Sequence, residues 1–136
     1  MDAFPENGAI EQKFKDLDFS GKILDSLEFI GCDFQNSKFV ESTLKNLQLE
    51  DCTFTHCDLS LVKLPGTQFK RVSFNSCRLM GVNWVTANWE KKSLLEYNHV
   101  DFKDCLLDHA IFIGLDLKSC SFNNCRARSM EFEGVN

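Results

Sequence analysis

The sequence predicts a solenoid, a chain wound into a rod of stacked coils, and three observations carry that expectation. Every fifth residue from Phe14 to Trp89 is large and apolar, sixteen positions in succession. A smaller residue, usually Cys, Val, Ser, Thr, Ala or Leu, sits two places before nearly every one of them. The other three positions are mostly Asp, Lys, Ser, Asn, Gly and Glu, the residues of tight turns and solvent. A period of five fits neither a helix at 3.6 residues nor a flat strand at 2. A strict short repeat marks units that bury their apolar faces only by stacking on neighbours.

Taken in order, residues 1–13 precede the repeat, and Phe4 and Ile10 make them an amino-terminal cap segment. The first register spans 14–89, with Phe, Leu and Trp at the centres. Only Gln12 and Lys22 look misplaced in the smaller slot. After Trp89 the spacing slips. Counting Tyr97 as the next centre leaves one repeat plus three residues, placed as a polar bulge at Glu90, Lys91, Lys92 and Ser93. Counting Leu94 instead removes two residues, so either way the irregularity lies at 90–96. The second register spans 97–136, where Ala127 is an undersized centre and Val135 fills the smaller slot of a repeat without a centre. That unfinished repeat points either to a longer native chain or to an end-to-end contact there.

The pattern resembles the pentapeptide-repeat family, whose consensus is A(D/N)LXX with Leu or Phe at the centre. "CDLSL" and "CDFQN" stand close to it, and the resemblance covers about residues 12 to 136. It implies an all-β fold, a right-handed quadrilateral parallel β-helix with four pentapeptides per coil. About six coils are then expected, a rod roughly 29 Å long at ~4.8 Å per coil. With Tyr97 counted as a rung, one wall is expected to stack Phe14, Phe34, Phe54, Phe74, Tyr97 and Leu117. An outer column is expected to read Asp18, Lys38, Asp58, Arg78, Asp101.

The repeat absorbs the usual carriers of chemistry. All seven cysteines fall in the smaller inward slot, and twelve of the thirteen phenylalanines lie on the repeat. Cysteines stacked in parallel are badly placed for a bridge, and small buried residues are a common fate of free thiols. Neither a metal nor a cofactor is expected, and reduced thiols suit a cytoplasmic protein. His56, His99 and His109 each sit two residues after a centre, at a turn, and no triad assembles around them. The chain reads as a non-enzyme. A net charge of −5 argues against direct nucleic-acid binding. No stretch reaches the ~20 apolar residues of a membrane span, and no secretory leader is evident.

Function is sought where the pattern breaks. Leu106, Ile111 and Ile113 are apolar at outward positions. Val85 is expected on a neighbouring face of the coil below, with Met80 one face further round; such a patch marks a protein partner. Asp25, Glu28, Glu50 and Asp51 are candidates for an acidic stripe. "EFIGCDF" and "CRARSMEF" resemble segments of the Qnr quinolone-resistance and microcin-immunity branch of the family. That resemblance implies a dimeric, DNA-mimicking rod, joined at carboxyl-terminal ends, acting on DNA gyrase or topoisomerase IV. Against mimicry, B-DNA carries one charge per ~1.7 Å, roughly 17 over such a rod.

Overall fold

The structure is a computed structural model that describes residues 6–89 and 99–134. Its strands are β1 (Gly8–Ile10), β2 (Lys13–Lys15), β3 (Ile23–Asp25), β4 (Glu28–Ile30), β5 (Asp33–Gln35) and β6 (Thr43–Lys45). They continue as β7 (Gln48–Glu50), β8 (Thr53–Thr55), β9 (Gln68–Lys70), β10 (Val72–Asn75), β11 (Val100–Lys103) and β12 (Cys120–Asn123). Each is a few residues long because a corner interrupts the chain once per repeat. The corner residue lies two places after the centre and takes a left-handed conformation, as in Asp16, Asn36, Asp51, His56 and Ser76, with φ between 49° and 56°. Asn and Asp tolerate that region better than most side chains, which is why the turn slot is polar.

All pairings are parallel and join residues one coil apart, so the strands stack into a quadrilateral β-helix of about five turns. The first face is the six-stranded sheet β2-β5-β8-β10-β11-β12, with Phe14, Phe34, Phe54, Phe74, Phe102 and Phe122 in one inward column. Bridged flanking residues define the second face, Phe19, Phe39, Leu59, Leu79, Leu107 and Ala127. The third carries Leu24, Leu44, Leu64, Trp84, Phe112 and Phe132. The fourth, built on β1-β4-β7-β9, carries Ala9, Phe29, Leu49, Phe69 and Trp89.

The inward columns form one core. Phe34, Phe54 and Phe74 stack at centroid spacings of 4.7 and 5.0 Å. Trp84 ties the faces together, edge-on to Phe102 at 5.2 Å and stacked on Phe112 at 5.9 Å. Each such pair adds about 0.5–1.5 kcal/mol beyond the area it buries. The seven cysteines are free thiols, five buried and two half-buried, all in the smaller slot. Six of the thiols donate to backbone carbonyls; Cys77 Sγ lies 3.2 Å from Phe54 O and Cys105 Sγ 3.2 Å from Phe74 O.

Two expectations about the register need correction. Phe74 pairs with Phe102, 28 residues on, where every other step in that column is 20. Eight residues, not three, are therefore surplus to the repeat between Trp89 and Phe102, and the aromatic wall runs through Phe102 and Phe122 instead of Tyr97 and Leu117. The outer column changes with it. After Arg78 come Leu106 and Arg126, while Asp101 stands on the first face between Ser73 and Ser121. Of the cap segment, Gly8–Ile10 forms a strand of the fourth face with Ala9 as its inward residue, Ile10 is exposed, and Phe4 lies outside the described residues.

Candidate interaction face

The corrected register gathers the outward apolar residues more tightly than the sequence alone implies. Asn83 bridges Ile111, which bridges Glu131, so Phe112 lies over Trp84 on the third face. Val85 and Ile113 each follow one of those centres. They occupy successive rungs of the same outer column and are 40% and 42% exposed. Ile111 is half-buried beside them. Val85 is therefore on the face of Ile111 and Ile113, and not on a neighbouring one. Leu106 stands round the corner on the second face, half-buried over Arg78, and Met80 follows the second-face centre Leu79.

A groove of about 550 Å³ adjoins this patch, one coil toward the amino terminus. Leu61, Lys63, Pro65, Asn83 and Thr86 line it, and Gly81 forms part of its floor. Leu61 is a residue that sequence reasoning missed. It is 50% exposed and holds the left-handed turn conformation at φ 58°, where a branched apolar side chain gains nothing locally. The signal was available: an apolar residue in the turn slot, where the repeat otherwise favours polar residues and Gly. The local chain also changes character here. Asn83 caps the short 3-10 turn Trp84–Thr86 through Val85 N at 3.0 Å, replacing the usual left-handed corner just before the surplus residues.

The four candidate acidic residues are not brought together as one stripe. Asp25 lies on the third face, paired in register with Lys45, and accepts a hydrogen bond from Ser26 Oγ. Glu28, Glu50 and Asp51 lie on or beside the fourth face, with Lys70 next above Glu50. The Arg71 guanidinium grips Asp51, with Nε 2.6 Å from Oδ1 and Nη2 3.2 Å from Oδ2, and comes within 3.9 Å of Glu50. Donation from Arg71 holds the Asp51 carboxyl below its ordinary value. Glu90, Lys91, Lys92 and Ser93 lie outside the described residues.

Toward the carboxyl-terminal coil the second face carries a buried carboxylate, Asp108. It accepts from Arg128 N at 2.9 Å and from Arg126 Nη2 at 2.8 Å, with its side chain 7% exposed. Beyond it Phe122 and Phe132 are partly open to solvent.

This geometry has a family. The profile described as "Pentapeptide repeat region" matches residues 27–98 and 48–132. The chain belongs to the pentapeptide-repeat family. No curated protein sequence matches it. Among solved structures it is similar to a trypsin-treated variant of QnrB1, a plasmid-mediated fluoroquinolone resistance protein, at 15% identity and a TM-score of 0.51, covering 93% of this chain and 70% of that one. A second trypsin-treated QnrB1 variant gives 22% identity and 0.46, covering 99% and 68%. A pentapeptide-repeat protein of the Arabidopsis thaliana thylakoid lumen gives 21% and 0.49, covering 76% and 66%. No helix among the described residues is long and apolar enough to cross a membrane.

Proposed function

We propose that this chain is a non-enzymatic protein-interaction rod that engages its partner through the third face. One observation carries the reading: Val85, Ile111 and Ile113 are adjacent and outward on a surface whose other outward positions are mostly polar or charged. A contiguous apolar patch on a polar rod is what a docking surface needs. Replacing Ile111 and Ile113 with lysine tests it. Capture of the partner by purified, folded protein is lost in the variant, and unchanged capture overturns the reading.

A second reading is a Qnr-like modulator or protector of DNA gyrase or topoisomerase IV, working in the cytoplasm by imitating duplex DNA. The fold likeness to QnrB1 favours it. Charge does not. The six rungs of the first face span about 24 Å, where B-DNA carries roughly 14 charges, against a net −5 here. Alternation from Asp18 to Lys38, Asp58 and Arg78 suits neighbouring rungs, not a uniformly negative surface. A gyrase supercoiling assay with and without fluoroquinolone decides it: neither inhibition nor protection at micromolar protein removes the topoisomerase reading.

A further inference from the structure

We propose that the partner of the third face is a second copy of this chain, packed side by side with the two rods antiparallel. The proposal rests on the reading that this face is the interaction surface. A contact about a two-fold axis must be self-complementary, because each residue's counterpart meets that residue in return. The four rungs of the third face from Leu64 to Phe132 can pair in this way. The outward residues preceding its centres run Ile23, Thr43, Lys63, Asn83, Ile111, Glu131, with the exposed Ile23 below the overlapping rungs, and those following the upper centres run through Val85 and Ile113 to Glu133.

The apolar middle lies between the Trp84 and Phe112 rungs. Lys63 stands one rung below that pair and Glu131 one rung above it, so the opposite charges are equally far from the centre. Both are exposed. A two-fold axis crossing the face between the Trp84 and Phe112 rungs turns one rod end for end and leaves each outer column facing itself. Lys63 of either copy then meets Glu131 of the other, Val85 meets Ile113, and Ile111 meets Asn83. The parallel arrangement instead sets each column against its neighbour and brings Glu131 onto Glu133. Like-charge apposition of that kind disfavours the wrong geometry. The two copies overlap over four rungs, about 14 Å, and one short strand in width, below the size of standard specific interfaces, so the dimer is a weak, concentration-dependent one that forms at tens to hundreds of micromolar.

Sedimentation velocity on the full chain, from low to several hundred micromolar, tests this, with circular dichroism confirming that each variant is folded. The parent shifts from monomer to dimer across that range. Lys63→Glu and Glu131→Lys each weaken association roughly tenfold or more, and combining them restores it, which damage to the fold cannot do. Ile113→Lys abolishes the dimer. A monomer at every concentration overturns the proposal, as does a dimer indifferent to all of these changes, whose contact lies elsewhere, such as the carboxyl-terminal coil. If the chain stays monomeric while the lysine variants still lose a heterologous partner, the interaction face stands and only the self-contact fails.

Discussion

Asp108 and Leu61 show what single side chains do when the repeat leaves them outward. Hydrogen bonding from Arg128 N, then from the Arg126 side chain, holds the Asp108 carboxyl below its ordinary value. A depressed carboxylate contributes stability that is present above the unfolded-state value near 4 and is lost as pH falls through the folded one. Acid titration of unfolding is therefore steeper below about pH 4 in the parent than in Asp108→Asn, which carries no titratable group there. Equal acid limbs in the two proteins count against this role. Leu61 works in the opposite sense. It accepts a left-handed backbone that disfavours it, and its exposed side chain roofs Gly81, whose added Cβ would lie 2.6 Å from Leu61 Cδ2. Leu61→Asn relieves about 1 kcal/mol of backbone cost. The urea midpoint rises with an unchanged m-value; a lowered midpoint means that the side chain is structural.

A strand here is one rung of a column, and its worth depends on the rungs on both sides. Phe54 is 2% exposed and stacked between Phe34 and Phe74. Phe54→Ala leaves a cavity that its short, cornered neighbours cannot close, at a cost of about 3–5 kcal/mol. Phe122 has Phe102 on one side at 4.9 Å and is 42% exposed, so Phe122→Ala costs less than half as much. Chemical unfolding of both variants measures the difference, and equal losses contradict nearest-neighbour stacking. The same dependence on rungs explains what could be read in advance. The inward identities of Phe54, Cys57 and Trp84 were legible because side-chain alternation within a pentapeptide is local. The partner of Phe74 was not. Tyr97 and Phe102 are five residues apart and share a phase, so the period cannot say whether the eight residues after Trp89 hold a rung. The hydrogen bond from Val72 N to His99 O and the Phe74–Phe102 pairing settle it, and the Arg78–Leu106 and Asn83–Ile111 bridges repeat the same step. That one step moves Val85 onto the face of Ile111 and Ile113, which is why the period alone put it on a neighbouring face.

At the scale of the whole rod, the surplus between Trp89 and Phe102 is an insertion into an otherwise periodic object, and its removal has a definite register. Deleting Glu90 through Tyr97 joins Trp89 to Asn98. Asn98 then follows a centre, His99 takes the turn slot, Val100 the smaller inward slot, Asp101 the outer position and Phe102 the next centre. Each residue suits its place. Val100 and Phe102 are already buried at 0% and 1%, and His56 and His109 already hold the turn slot at φ 53° and 64°. Eight extra residues between two rungs add roughly 2 kcal/mol of closure entropy to the connection, which their deletion relieves. Forcing His99 into the left-handed region costs about 1 kcal/mol in return. The shortened chain therefore folds to the same parallel solenoid with stability within about 1 kcal/mol of the parent, measured by urea unfolding. A loss of more than ~3 kcal/mol shows that the surplus residues pack on the rod as a rung or cap does. With stability unchanged, the topoisomerase assay on the shortened chain becomes decisive for the insertion. Activity lost without any loss of fold assigns the effect to those eight residues, and activity retained assigns it to the faces of the rod.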